Sequence, residues 1–341
     1  MGYVISNVAV ALLVLGGIWV ARFVRRSDLW RGAALDLWRR RPVAIVVVGI
    51  YVAIGLLDSV SWVGGGAAGA GDLVAQHKPR SVVDRLFPET FKERSYSAPL
   101  ARAEFYGAQV LDNPGRHLLG TDILGRDVLH LVLKGTRIAL LIGGLTSLIV
   151  IPLALFFGIS AGYFGGRIDD AVFFVMSTLA SIPSLLLLIA LIMAMGEGPV
   201  QVCIAMGVTS WVGFCRVVRG ETFKLRELDY VQAARALGVS EGRIILRHVL
   251  PNLMHLVVIT FVLLFSGLVL SEAILAWLGI GIDGSWGQMI DQARDELARD
   301  PIVWWNLSAA SAALFGLILA VNLLGDAVRD VLDPRTLRAD P

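Results

Sequence analysis

Residues 227–252 read ELDYVQAARALGVSEGRIILRHVLPN, a charged, helix-patterned stretch interrupted at Gly238 and set between two long apolar runs. Asp229 can cap a helix in which Tyr230, Ala233, Ala234 and Leu237 recur at i, i+3, i+4 and i+7, giving one narrow apolar face. Two alanines at its centre let another surface approach the backbone closely. Gly238 supplies the left-handed residue that ends the helix, since inside a helix it would cost about 1 kcal/mol. Ser240 can cap a second helix through Ile244, Ile245 and Val249 toward Pro251. Periodicity leaves two readings of this hairpin open: an amphipathic element lying on a membrane surface, or a docking element for another protein.

The flanking runs set the solvent. At 56% hydrophobic and 17% charged residues, with a mean hydropathy of +0.71, the 341-residue chain carries more apolar surface than one soluble core can bury. It belongs in a bilayer, and a net charge of +2 gives no reason to expect nucleic acid as a partner. Cys203 and Cys215 fall in or beside one apolar run and read as packing residues rather than a disulfide framework. Crossing the hydrocarbon takes roughly 20 apolar residues. Seven runs meet that need: Tyr3–Ala21, Pro42–Val63, Ile138–Gly162, Ala171–Met195, Pro199–Val217, Leu253–Leu278 and Ile302–Leu324.

Basic residues orient the spans. Arg22, Arg25, Arg26, Arg31, Arg39, Arg40 and Arg41 crowd one connection, and Arg216, Arg219, Lys224, Arg226, Arg235, Arg243 and Arg247 another. Arg167, Arg329, Arg335 and Arg338 fall on the same side, whereas the MGEGP turn (195–199) has no basic residue and the 280–301 loop only Arg294 and Arg299. This asymmetry places the opening hairpin in the cytoplasm and the long 59–134 segment outside. Met1–Ala21 has no basic residue before its apolar run, which favours a retained anchor over a cleaved signal.

Motifs for chemistry are sparse. GGGAAG (Gly64–Gly69) matches a dinucleotide-binding spacing but follows a membrane span and precedes no helical pattern, so it reads as a flexible loop. His248 and His255 share a helix face without a carboxylate or cysteine at ligand spacing, so no metal site, cofactor site or catalytic residue is expected. No GxxxxGK[ST] occurs; any nucleotide hydrolysis falls to another chain.

Gln232, Ala233 and Ala234, three residues, Gly238, nine residues, then His248-Val249-Leu250-Pro251 reproduce the spacing of the EAA-x3-G-x9-I-x-LP loop, with Gln and His in place of the usual Glu and Ile. That loop resembles the signature of the membrane-spanning permease subunits of bacterial ABC importers. HLLGTDILGRDVLHLVLKGTRIALLIG (117–143), GISAGYFGGRIDD (158–170), WLGIG...SWGQMI (277–290) and NLLGDAVRDVLDPR (322–335) are similar to the second permease of dipeptide, oligopeptide and nickel importers. The resemblance runs from about His117 to the end. The added span at Tyr3–Ala21 and the long external segment around residues 77–116 depart from it.

The resemblance implies an all-α, multi-pass transmembrane bundle of the type I ABC importer permease fold, with six core spans plus an extra N-terminal span. The expected organisation is an anchor and Arg-rich linker over 1–41, a first core span over 42–63, and an extracytoplasmic segment over 64–134. A permease core follows over 135–326, with its coupling loop at 218–252 and a cytoplasmic tail at 327–341. Asp229, Tyr230, Gln232, Ala233, Ala234, Leu237, Gly238 and Pro251 would form the peg and lever that seat in a partner ATPase. The implied assembly is a heterodimer with a homologous permease, two ABC ATPase subunits that hold ATP and Mg, and an extracytoplasmic solute-binding protein, in the bacterial inner membrane. Peptide is the expected cargo, with nickel or other small solutes as the alternative. A secondary transporter would need ionisable residues at mid-bilayer, and a membrane-embedded hydrolase a nucleophile and base at matching depth; the sequence offers neither.

Two external features are expected near the pore mouth. Thr121 or Asp122 can cap a short helix and Asp127 a second one, with Asp122, Arg126 and Asp127 as candidate contacts. Glu272 lies twenty residues beyond Asn252, about 30 Å along a helix. A carboxylate at mid-bilayer costs about 2.5 to 3.5 kcal/mol, so this one is expected to be solvated or hydrogen-bonded at the outer interface, with the pore mouth as the other reading.

Overall fold

A computed structural model describes residues 28–62, 80–88, 92–106, 109–196 and 198–332, with scattered positions before 28. The helices are α1 (Asp28–Arg40), α2 (Pro42–Ser59), α3 (Val82–Leu86), α4 (Val128–Phe164), α5 (Gly166–Ser181), α6 (Ser184–Met195), α7 (Pro199–Arg226), α8 (Asp229–Ala236), α9 (Glu241–Trp277), α10 (Trp286–Glu296) and α11 (Trp305–Leu332). A two-residue antiparallel pair joins β1 (Ser61–Trp62) to β2 (Arg80–Ser81). Among the described residues, α2, α4, α7, α9 and α11 are long and apolar enough to cross a membrane. The anchor expected at Tyr3–Ala21 and the Gly64–Gly69 loop lie mostly or wholly outside the described residues.

The run expected as one span at Ala171–Met195 is two helices, α5 and α6, meeting at 90°. Pro183 is the cause. It has no amide to donate, and it pushes the preceding residue out of the α region. Ile182 accordingly sits at φ −89°, ψ 131°, and α6 restarts after Pro183.

The chain divides into two compact units, Met1–Leu140 with Glu272–Ala327 and Leu141–Ser271 with Val328–Pro341. In the second, α4 and α7 approach through glycine. A Cβ on Gly158 would come within 2.7 Å of Val218 Cγ1, and one on Gly162 within 2.6 Å of the Arg219 carbonyl oxygen. With one on each side of three intervening residues, the two glycines form a small-residue stripe of the kind that lets membrane helices pack backbone to backbone. Around this crossing Trp211, Phe214, Cys215 and Val218 form an apolar core with Val231, Ala234, Ile244, Val249 and Leu253. Asp169 of α5 holds Arg219 of α7 through two hydrogen bonds, with Nη2 to Oδ2 at 2.7 Å.

In the first unit, loops from 92–127 fold into a cap with α10 and the start of α11. Trp305 Nε1 donates to the Thr121 carbonyl at 2.9 Å, and Tyr96 hydroxyl donates to Glu296 at 3.1 Å. Asn306 adds a 2.6 Å bond to the same carboxyl. Burial pushes the Glu296 pKa up, against the hydrogen bonds from Asn306 and Tyr96. Beside the cap, Ser81 and Asp84 form a reciprocal capping box on α3. Asp84 also receives His130 Nε2 at 3.0 Å and Lys134 Nζ at 2.5 Å, which ties α3 to the start of α4.

Candidate functional site

The opening hairpin folds as α8, a turn and the first turns of α9. Leu228 is the α8 N-cap and has no side-chain cap bond, so Asp229 occupies the first helical turn instead of the expected cap position. There its charge still favours the positive end of the helix dipole. Gln232 Nε2 donates to the Arg226 carbonyl at 2.9 Å and pins α8 back onto the end of α7. A glutamate carboxylate at this position could not do the same, because it has no proton to give.

The two central alanines part company. Ala234 is buried with Val231 against the chain's own core, whereas Ala233 is exposed. Ala234 therefore anchors the helix from within and does not belong to a presented face, contrary to the sequence expectation. Leu237 is 84% exposed and Tyr230 44%. The outward face comprises Tyr230, Ala233, Ala236 and Leu237, and the internal anchor Val231 was legible only as a second apolar spacing with Ala234.

Gly238 terminates α8 at φ +75°. Its amide donates to Arg235 and the Val239 amide to Ala234, at 3.0 and 3.1 Å, the paired bonds of a Schellman stop. Ser240 stands at the next N-cap position without a side-chain cap bond. The second helix is not a separate piece: it is the beginning of α9, continuous into the span. Residues Ile245–Val249 form a π-turn in which the Leu250 amide reaches back to Ile245. The widened turn precedes Pro251, which lacks an amide and whose ring would clash with the carbonyl four residues earlier in regular α geometry.

A latch unseen in the sequence holds the hairpin in the second unit. Tyr163, in the last turn of α4, donates its hydroxyl to Glu241. Arg235 lies 5.2 Å over the Tyr163 ring and pairs with Glu241 at 3.5 Å. Tyr230 accepts a 3.0 Å bond from Asn252 and has His248 at 5.9 Å. Motif spacing marked none of Tyr163, Arg235 or Glu241, since their partnership joins residues 72 or 78 positions apart, Tyr163 with Arg235 and Tyr163 with Glu241.

In the cap, the expected short helix after Thr121 is absent. Residues 121–127 form a tight loop closed by a Thr121–Asp127 bridge. Asp122 fastens it from inside, accepting the amides of Leu124 and Arg126 at 2.9 and 2.8 Å and Arg126 Nε at 2.8 Å. Side-chain bonds to its own backbone make a turn a better solution than a helix there. Asp127 does cap α4, through the Leu129 amide at 2.8 Å. Its other oxygen holds His117 Nδ1 at 2.8 Å, and Glu93 lies 3.4 Å from Nε2.

All three members of that triad are buried. The Asp127 hydrogen bond raises the His117 pKa, against burial, and the charges of Asp127 and Glu93 raise it further. Protonated His117 thus contributes stability that is complete below the ordinary imidazole pKa and is lost as pH rises through the elevated folded value. Hydrogen exchange of the cap is expected to quicken as pH moves from acid to alkaline, after correction for intrinsic rates, and His117→Gln to flatten that dependence. A wild-type cap that tightens on the same pH change would contradict the triad's assigned charge.

Glu272 is 5% exposed, so of the two settings expected for it, solvated or hydrogen-bonded, it takes the hydrogen-bonded one. The helical count set its distance along α9 but not what folds over it. The Ser285 hydroxyl and Ile282 backbone lie against its carboxyl, and Oε1 has no hydrogen-bond partner among the described residues. Close approach depends on Gly287, where a Cβ would stand 2.6 Å from Ala276 Cβ. No group of three metal-ligating side chains occurs among the described residues.

Residues 154–338 match the family described as binding-protein-dependent transport system inner membrane component. The chain belongs to that family, as a multi-pass membrane protein. The glutathione transport system permease protein GsiD of Pectobacterium atrosepticum is 36% identical over 64% of this chain and 73% of its own length. The oligopeptide transport system permease protein OppC of Haemophilus influenzae is 34% identical over 75% and 79%. Among solved structures, the inward-facing MetNI methionine ABC transporter gives a TM-score of 0.48 at 20% identity, covering 60% of this chain and 97% of that one.

Proposed function

We propose that this chain is one of two membrane subunits of a bacterial inner-membrane ABC importer for peptides, and that α8 is the element through which separate ATPase subunits drive it. The chain itself is non-catalytic in this reading. ATP and Mg reside on the ATPase pair, a homologous permease completes the pathway, and an extracytoplasmic binding protein delivers cargo. Relatives named for glutathione and oligopeptide transport support the cargo class, since glutathione is itself a short peptide.

The observation that carries the coupling role is the division of α8 into two faces. Val231 and Ala234 lock it into the chain's own core, while Tyr230, Ala233 and Leu237 stand outward with no intrachain cover sufficient to bury them. A leucine 84% exposed at the tip of a polar hairpin is what a groove in another protein would bury. The latch through Tyr163 and Glu241 makes the hairpin stiff enough to transmit displacement to α4.

Affinity purification in detergent tests this. Wild-type protein is expected to bring ATPase subunits with it, and Ala233→Arg to lose them while the permease pair stays intact. Retention of the ATPase subunits by Ala233→Arg would remove α8 from the interface. In the purified complex, binding protein loaded with short peptides is expected to stimulate ATP hydrolysis; stimulation by nickel chelates alone would overturn the cargo assignment.

A further inference from the structure

The transport role leaves α1 unused. This 13-residue helix, about 20 Å long, ends one residue before α2, a span. Arg41 alone separates them, at φ −141°, ψ 60°, and hydrogen bonds run through it on both sides, from its amide to Leu37 and from Ile45 to its carbonyl. With no slack in that joint, α1 must stay at the membrane boundary that α2 enters.

Its chemistry fits that boundary. Segment 28–41 holds four arginines against two aspartates. Arg31, Arg39, Arg40 and Arg41 are exposed, and none has an ion-pair partner among the described residues. Arg31, Leu35 and Arg39 recur every fourth residue along one side, with Trp38 adjacent; Leu35 and Trp38 are each about half exposed, at 51% and 52%. Interleaved apolar and guanidinium groups suit the headgroup layer, where an indole sits at the polar–apolar border and a guanidinium takes a phosphate bidentately.

We infer that α1 is an interfacial helix that binds the phosphate headgroups of anionic phospholipids, with Arg39, Arg40 and Arg41 as its principal contacts. Charge complementarity and continuity with α2 favour lipid over a protein partner, because lipid phosphate is the anion that a boundary helix always has within reach. The inference needs α2 to cross a membrane but is independent of what the protein transports and of its ATPase partners.

The test uses the full-length chain in nanodiscs of phosphatidylcholine alone or with added phosphatidylglycerol, read by hydrogen exchange over residues 28–41. Phosphatidylglycerol is expected to slow exchange in α1 several-fold. High salt, which screens exposed charge, should erase the effect in the wild type without any mutation. Arg39→Gln/Arg40→Gln/Arg41→Gln should also erase it while α4 and α7 keep their protection. Equal exchange in the two lipids would overturn the inference. So would slowing produced by inorganic phosphate in phosphatidylcholine discs, or slowing that requires added ATPase subunits.

Discussion

Gly238→Val is expected to abolish peptide-stimulated ATP hydrolysis and uptake in the assembled complex while the permease still inserts. No atom lies within 4 Å of a Cβ added at Gly238, so the penalty is torsional and comes from φ +75° alone, about 1 to 3 kcal/mol for a β-branched residue. Escape from that strain breaks the Schellman bonds from Gly238 to Arg235 and from Val239 to Ala234. Arg235 then leaves the Tyr163 ring and Glu241, and α8 loses its fixed angle to α4. Gly238→Asn supplies the control, since asparagine tolerates the left-handed region and should retain most activity. Normal stimulation in the valine variant would show that the turn's geometry is unnecessary for coupling.

Gly125→Ala is expected to open the cap, at a cost of about 3 kcal/mol or more, by overlap as well as torsion. A Cβ at this position would lie 1.9 Å from the Glu93 carbonyl oxygen and 2.5 Å from its carbon; those atoms are backbone and a Cβ has no rotamer, so neither can swing aside. The Glu93 amide already donates to the Gly125 carbonyl at 2.9 Å. Displacing Glu93 also releases its carboxyl from the amides of Asp112 and Asn113, at 3.0 and 2.7 Å, and from His117. Gly115→Ala is the matched comparison, with a similar φ of +71° but nothing within 4 Å of the added atom. It should cost only about 1 kcal/mol. Hydrogen exchange over 92–127 reads both variants, and equal protection losses would refute the packing argument.

What the sequence made legible depended on how local each determinant was. Apolar runs marked the α2, α4, α7, α9 and α11 spans because a membrane helix needs nothing beyond its own length and composition. The α8 stop was legible because a left-handed glycine is a local signal. Pro183 was equally visible, yet an apolar run on both sides of it concealed a 90° bend behind unbroken hydropathy. Ala233 and Ala234 were assigned to one face by spacing. Which of them turned inward depended on Ile244, Val249 and Leu253 arriving from the next helix. The cap was least legible, since contacts such as Tyr96 with Glu296 join residues 200 apart. For Glu272 counting gave the depth, but which of the two expected settings it takes, solvated or hydrogen-bonded, was decided by a loop that folds back over it.

The π-turn at Ile245–Val249 sets the rotational phase of the fused rod from Glu241 to Trp277. One surplus residue in a helix rotates everything beyond it by roughly 100°. The side of the span that looks toward its neighbours is therefore indexed to the hairpin by a single turn of wide pitch. Without that surplus residue the span would present a different side to its neighbours for the same placement of the hairpin.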